Sequence, residues 1–461
     1  MFNKYLIYGL GSSGLETAKF LLLCGYDVFA IDDDCTKMQN LQSDMQLGYQ
    51  KIKFLSSLQD FVFDNKTAVI FAPGIPLYYP KQHKIVDICK NSGAYLMTDI
   101  ELFYLLNQNN NFIGITGTNG KSTTTSLIGF ILSQLNIPNS IGGNIGTASF
   151  LLPQNKQNYN YVLELSSFQL DLINKTRLNI ACLLNITPDH IDRHGDMQNY
   201  IAAKKRIFAQ QTNQDYAVIC IDNSINKSIT ESWNFVSKLV LVSNNIPLNN
   251  GITLINNKLS VNFAGYSFNK IVHSQYLLGL HNQQNIVVAF AVIFAYFLNK
   301  NIIINEQLLD EIIAAILAFT GLKHRLQIVA KKNNITFVND SKATNADSTS
   351  NALQAYDNIF WILGGRAKEG GIKSLVQYFS KIKKAYLIGE ASNDFAKILQ
   401  DNAVDFVLCE KLDNAFLQAY NDAKNVGYKC NIILSPACAS FDQWANFEHR
   451  GDYFCKLVHD L

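Results

Sequence analysis

The stretch at residues 113–125, I-G-I-T-G-T-N-G-K-S-T-T-T, constrains this chain more than any other. Residues 112–115 are a short apolar, β-prone run and residues 122–132 carry a helical pattern, so the glycine-rich turn lies between a strand and a helix N-terminus. Gly120, Lys121 and Ser122 close the stretch as a phosphate-binding loop requires, while Gly114, taken as the first glycine of the pattern, stands six positions before Gly120 where the pattern has five. Backbone N–H groups and the positive end of the helix dipole then face anionic oxygens. Lys121 supplies a point charge for β/γ-phosphates, and the Ser122 hydroxyl a ligand for Mg²⁺. A glycine turn that binds nothing is the bland alternative, and the agreement of pattern and setting speaks against it.

A chain of 461 residues exceeds one hydrophobic core and points to about three domains. The 39 basic and 37 acidic side chains leave a net charge of +2, without the electrostatic footprint of a nucleic-acid binder. Nine scattered cysteines with no C-x-x-C pair suit inert thiols in a reducing cytoplasm better than a disulfide framework or a zinc site. The longest apolar run, residues 286–298, is shorter than the ~20 residues of a membrane span and reads as a buried helix. The N-terminus leads directly into a strand and a glycine turn, which leaves no signal peptide. A soluble cytoplasmic protein is expected, with no membrane partner.

The fold class expected is α/β. Residues 4–8 form a strand, G-L-G-S-S-G at 9–14 opens a helix to about Cys24, and a second strand, 27–31, ends at Asp32. This is a Rossmann-type βαβ unit, with Asp32 placed for a ribose hydroxyl. The motif fixes phosphate and sugar chemistry but leaves open whether the ligand is a dinucleotide, so a dehydrogenase stays possible at this point. A strand at 67–71 runs into Ala72-Pro73-Gly74, a rim of the same pocket. The first boundary falls near residues 98–100.

The middle segment continues with G-G-N-I-G at 142–146 and a strand, 161–165, that embeds Glu164 among apolar neighbours. A carboxylate there is costly unless paired or metal-bound. The apolar run 180–186 ends in T-P-D-H, placing His190 at a strand's carboxyl end as a metal candidate or a solvated loop residue. Residues 200–209 are helical and carry Lys204, Lys205 and Arg206, a cluster whose ordinary reading is a solvated face. Residues 223–271 read as an antiparallel insertion. H-N-Q-Q-N at 281–285 is either functional or a polar N-cap cluster. A new α/β alternation starts after Gly321. Its strands at 335–339, 359–363, 385–388 and 432–434 all run into polar turns, the pattern of a doubly wound sheet with a ligand crevice.

These pieces, in this order, resemble the Mur ligase family of ATP-dependent amide-bond-forming enzymes. The resemblance spans the chain: G-T-N-G-K-S at 117–122, G-N-I-G at 143–146, E-L-S-S-F-Q-L at 164–170, N-I-T-P-D-H at 185–190, His281-Asn282 with Asn285, His324-Arg325, and N-D-S-K-A-T-N at 339–345. It implies three domains: a Rossmann-like UDP-substrate domain (1–99), a P-loop ATPase-like domain (100–321) and a Rossmann-like amino-acid domain (322–461). The N-terminal domain together with S-P-A-C-A-S-F-D at 435–442 resembles the branch that joins D-glutamate to UDP-N-acetylmuramoyl-L-alanine through an acyl phosphate.

On that resemblance Gly117, Thr118, Asn119, Gly120, Lys121, Ser122 and Thr123, with Asn282, Asn285, Arg325 and Asp340, are implied to bind ATP. Ser122, Glu164, His190 and Lys204 are implied to hold Mg²⁺, Lys204 as a carbamate. Lys121, Asn144, His190 and Lys204 are the implied catalytic set. Ser12, Ser13, Asp32, Gly74 and Asn144 fall to the UDP substrate, and Lys342, Thr344, Lys368, Ser440 and Phe447 to the amino acid. Asp34 stands where relatives often have arginine near the uridine, and the G-G-R-A-K loop at 364–368 is a variant one. A monomer is expected. The alternatives are a sister ligase, a folylpolyglutamate synthetase-like ligase, or, in another class, an NAD-dependent dehydrogenase, which leaves the later motifs without a role.

Overall fold

The computed structural model describes residues 2–43, 51–368 and 370–461. Among them the strands form three larger sheets and a two-stranded ribbon. The N-terminal sheet contains β1 (Lys4–Tyr8), β2 (Asp27–Ile31), β3 (Lys53–Phe54), β4 (Thr67–Phe71) and β5 (Tyr95–Met97), all parallel, in the order β3-β2-β1-β4-β5. The order reverses beside β1, so the carboxyl ends of β1 and β4 flank a crevice of the kind that binds ligands in open α/β sheets.

The central sheet contains β6 (Asn111–Thr116), β7 (Asn139–Gly143), β8 (Asn160–Glu164), β9 (Ile180–Leu183), β10 (Tyr216–Cys220), β11 (Lys238–Ser243), β12 (Gly251–Ile255), β13 (Lys258–Phe263) and β14 (Tyr266–Ile271). Their order is β14-β13-β12-β11-β10-β9-β6-β8-β7, with the phosphate-loop strand β6 between β8 and β9. Strands buried on both faces read as continuous apolar runs, as Ile180–Leu183 does. The expected antiparallel insertion at 223–271 is only partly so. A helix, Ser224–Ser232, comes first, capped by the Asn223 side chain on the Asn226 N–H, and β11 and β12 continue the parallel sheet. Only β12, β13 and β14 pair antiparallel.

The helix Leu280–Asn299 contains the apolar run, with residues from Ile286 to Phe297 buried. Among the described residues no helix is long and apolar enough to cross a membrane. The residues 281–285 lie inside this helix's first turns, so the N-cap alternative weighed for them does not hold.

The third sheet contains β15 (Gln327–Lys332), β16 (Ile335–Asn339), β17 (Ile359–Gly364), β19 (Ile382–Ile388), β20 (Phe406–Glu410) and β21 (Cys430–Leu434), in the order β15-β16-β21-β17-β19-β20. The ribbon pairs β18 (Arg366–Ala367) with β22 (Cys438–Ala439).

Two compact units result: Met1–Val272 with Gln284–Ile316, and His273–Gln283 with Leu317–Leu461. Within the first, the N-terminal and central sheets share one hydrophobic core, where Tyr5, Ile7 and Leu21 join Phe103, Phe112, Phe150 and Tyr161. A buried carboxylate helps to pin the join. Glu101 accepts from the N–H groups of Asn174 (3.1 Å), Lys175 (2.7 Å) and Thr176 (3.0 Å) and from the Tyr95 hydroxyl (2.8 Å). So many donors offset the desolvation of a fully buried charge. The second unit has cores on both faces of its sheet, one around Trp361 and Leu363, the other around Phe337, Tyr386 and Phe416.

Candidate active site

The loop after β6 is shaped by two glycines. Gly120 caps the helix Lys121–Gln134 with φ 84°, and a Cβ on it would come within 2.4 Å of Asn285 Oδ1. At Gly117 a Cβ would meet Leu184 Cβ at 2.9 Å. Gly114, taken above as the pattern's first glycine, lies inside β6, where a Cβ would strike Leu178 at 2.5 Å. It is a packing glycine, and the loop proper begins at Gly117. Lys121 Nζ donates to the carbonyls of Gly117 (3.0 Å) and Thr118 (2.7 Å), and Ser122 and Thr123 are buried in the helix's first turn. Thr124 Oγ1 donates to Asn285 Oδ1 at 3.2 Å.

Glu164 closes β8 and is 2% exposed. Asn144 addresses it twice: its backbone N–H donates to the Glu164 carbonyl (2.9 Å) and its Nδ2 to Oε1 (2.8 Å). The other oxygen, Oε2, is buried with no hydrogen-bond partner among the described residues. An anionic oxygen left so is strongly disfavoured unless a cation or donor completes it.

For Lys204 the bland alternative, a solvated helical face, does not hold. The helix Met197–Lys205 turns its side chain inward to 1% exposure, where Nζ donates to the Gly117 carbonyl (2.8 Å) and lies over the Tyr200 ring. Burial first, and then the charge of Lys121, bring its pKa down to about 7, while Asp189 and Glu164 oppose the shift. Lys205 instead lies over Trp233, and Arg206 donates to the carbonyl of Leu170 (2.9 Å).

His190 sits in the left-handed region (φ 53°) at the head of the short helix Ile191–His194. Its ring packs edge-on against Phe168 at 4.9 Å, and Nε2 is 3.5 Å from Asp189 Oδ2. Among the described residues no three His, Cys, Asp or Glu side chains form a metal cluster.

At the N-terminal crevice the Asp32 carboxylate receives the N–H of Leu10 (2.6 Å) on Oδ2 and that of Asp34 (3.0 Å) on Oδ1. It thus holds the glycine turn in shape. Gly9 has φ 93°, and a Cβ on Gly14 would strike the Gly9 carbonyl at 2.2 Å. Ser12 and Ser13 open the helix Ser12–Leu23, and Gly74 is exposed beyond β4. Asp34 Oδ1 accepts the Thr36 N–H (3.0 Å), a local turn contact.

In the second unit Asp340 is buried. Its Oδ1 accepts the Leu326 N–H (3.1 Å) and its Oδ2 the Ser435 hydroxyl (2.7 Å). Burial raises its pKa to about 7 against those bonds and the nearby Arg325 charge. Asn282 donates to the Leu278 carbonyl at 2.8 Å. Lys342 Nζ lies 5.3 Å over the Phe447 ring, and Thr344 N–H bonds the Lys342 carbonyl (2.9 Å). In the ribbon Ala367 is opposite Cys438 and Arg366 opposite Ala439. Lys368, exposed, and Ser440, buried, therefore leave the ribbon at opposite ends.

The Trp361 indole N–H donates to the Ser435 carbonyl (2.8 Å) at the base of the loop that carries Ser440.

Sequence reasoning missed three residues. Arg450, 1% exposed, donates to Ser341 Oγ (3.0 Å), to the Ser341 carbonyl (2.9 Å) and to that of Cys438 (3.1 Å), tying the 339–345 turn to the 435–440 turn. Burial lowers its pKa to about 10. Its signal was faint: an arginine beside Gly451 on a helix whose other buried positions are Phe454 and Val458. The other two are Tyr200, whose hydroxyl is 3.0 Å from Thr118 Oγ1, and Arg193, which bonds the Pro73 carbonyl (3.2 Å) and stacks on Phe168.

Sequence models of the "Mur ligase middle domain" and the "Mur ligase, glutamate ligase domain" match residues 115–293 and 324–436. The UDP-N-acetylmuramoylalanine–D-glutamate ligase of Rickettsia felis is 41% identical, over 99% of this chain and 96% of its own. The enzyme of the same name from Rhizobium meliloti is also 41% identical, over 100% and 96%. Among solved structures, UDP-N-acetylmuramate-alanine ligase from Thermotoga maritima aligns with a TM-score of 0.59 at 17% identity, covering 99% of each chain. MurF from Acinetobacter baumannii gives 0.58 at 16%, covering 86% of this chain and 93% of that one. These two bear on the fold alone.

Proposed function

The chain belongs to the Mur ligase family, in the group of UDP-N-acetylmuramoylalanine–D-glutamate ligases, and from that premise we infer its reaction and the part each residue plays. The reaction joins D-glutamate to UDP-N-acetylmuramoyl-L-alanine at the expense of ATP, in peptidoglycan precursor synthesis. The carboxylate of the nucleotide substrate takes the γ-phosphoryl group, the D-glutamate amine attacks the resulting acyl phosphate, and phosphate leaves as the amide forms. The observation that carries this reading is the 41% identity sustained over essentially the whole chain.

The residues present fit a magnesium–nucleotide ligand. The unpartnered Glu164 Oε2 calls for a cation, and the space in front of Gly120 is too narrow for a side chain. Mg²⁺ would be held by Ser122, Glu164, His190 and Lys204, and would neutralise phosphate charge. Gly117, Thr118, Asn119, Gly120, Lys121, Ser122 and Thr123 would cradle the phosphates, with Asn285 beside Gly120, while Asn282, Arg325 and Asp340 are assigned to ATP on the resemblance alone. Lys121 would exchange the loop carbonyls for phosphate oxygens, and Asn144 would orient Glu164 and meet the substrate. Ser12, Ser13, Asp32 and Gly74 would receive the UDP end. Lys342 and Lys368 would oppose the carboxylates of D-glutamate, beside Thr344, Ser440 and Phe447.

An ammonium has no lone pair for a cation, so Lys204 serves as a carbamate. Its neutral amine adds to the carbon of CO₂ and releases a proton, leaving an anionic oxygen donor. A pKa of about 7 makes that amine available at neutral pH. Three functional domains divided near residues 100 and 321, a monomeric state and a cytoplasmic location complete the reading.

The test is phosphate release with the substrates supplied singly and together. Release is expected only with ATP, Mg²⁺, UDP-N-acetylmuramoyl-L-alanine and D-glutamate all present. Comparable turnover with L-glutamate or meso-diaminopimelate would sink the assignment.

A further inference from the structure

We propose that Asn185 is a positioning residue for the phosphate loop, setting ATP affinity through the backbone of Asn119. The inference rests on the reading that this loop holds the phosphates of ATP. Asn185 stands two residues beyond β9. Its carbonyl accepts the Thr118 N–H at 2.8 Å. Its side chain makes a reciprocal pair with the next peptide: Oδ1 accepts the Asn119 N–H at 2.8 Å and Nδ2 donates to the Asn119 carbonyl at 3.1 Å. A side-chain amide thus pairs with the loop as a neighbouring strand would, and commits both polar groups of residue 119. The remaining N–H groups of the loop inherit that orientation.

An amide could be turned end for end, and what prevents it lies further off. Asn185 Nδ2 also donates to Gln284 Oε1 (2.8 Å), Gln284 Nε2 to Cys220 Sγ (3.2 Å), and the Cys220 thiol to Asp222 Oδ2 (3.1 Å). Asp222 also takes the Ser243 hydroxyl and the Asn244 N–H. An ionised carboxylate only accepts, so the thiol must point its hydrogen at Asp222 and offer its lone pair to Gln284. Gln284 must then present its oxygen to Asn185, and Asn185 its own oxygen to Asn119. Any other order leaves like groups facing each other. Asp222 thereby fixes the polarity of a chain that ends on the phosphate loop.

Asn185 is half-exposed, so its truncation leaves the core intact. Asn185→Ala is expected to raise the apparent KM for ATP by about tenfold or more while the KM values for D-glutamate and the nucleotide substrate stay near wild type. Asn185→Asp keeps the acceptor for Asn119 N–H but loses both donations and adds a negative charge near the phosphates. It should therefore raise the ATP KM further. Gln284→Ala should give a smaller rise, and adding it to Asn185→Ala should cost nothing more, since Gln284 acts through Asn185. An unchanged ATP KM in Asn185→Ala, or an equal rise in all three KM values, would overturn the proposal. Failure of the underlying reading looks different: wild type itself would release no phosphate with the full substrate set.

Discussion

Lys204 and Lys205 are neighbours in sequence with opposite surroundings, and only the first can act as an amine near neutral pH. With its pKa brought down to about 7, Lys204 is mostly ammonium a unit below and mostly amine a unit above, so carbamate loading rises across that interval at fixed CO₂. The same shift has a stability sign. Unfolded, the lysine keeps its proton up to about pH 10.4, so between pH 7 and 10 the unfolded chain binds more protons than the folded one and stability rises with pH. In CO₂-stripped buffer Lys204→Met should therefore melt above wild type at pH 7, with the advantage fading towards pH 10. Lys204→Ala and Lys204→Met should both abolish turnover, whereas Lys205→Ala should not. Near-normal activity of Lys204→Ala without bicarbonate would return the residue to a structural role.

Between β6 and the helix Lys121–Gln134 the turn works only with glycine at 120. Gly120→Ala places a Cβ at positive φ and against Asn285 Oδ1, an expected loss of about 1–3 kcal/mol in stability with a raised ATP KM. Differential scanning fluorimetry and ATP titration would check it, and a variant with wild-type melting and affinity would show the turn to be pliable. Elements of this kind were the most legible from sequence. The runs at 4–8, 27–31, 67–71 and 335–339 are strands with those bounds, because apolar runs flanked by Gly, Asp or Asn leave few options. The segment 223–271 was misread because its asparagines suggested turns. The helix Ser224–Ser232 buries only Asn226 and Ile229, and β11 gains its place by pairing with β10. Burial of Lys204 was illegible for a related reason: the carbonyl that holds it belongs to Gly117, 87 positions away. Arg450 was hidden likewise, since its partners lie on two other turns.

Each compact unit carries its own hydrophobic cores, so calorimetric unfolding should resolve two transitions. The residues read as the D-glutamate site all belong to the second unit, and D-glutamate at about 100 times its Kd should stabilise that transition by about 2.7 kcal/mol. A single cooperative transition would show that the division is geometric and carries no energetic boundary. The placement of the tryptophans gives the same division an optical reading. Of the three, Trp233 and Trp444 are half-buried, while Trp361 is fully enclosed. Its emission is accordingly the blue-shifted share of the intrinsic fluorescence. Because its indole bonds the Ser435 carbonyl, at the foot of the turn bearing Ser440, a change in that turn alters the colour and yield of this one fluorophore. The chain thus carries an unlabelled spectroscopic reporter whose hydrogen-bond acceptor stands five residues before the serine assigned to the amino-acid substrate.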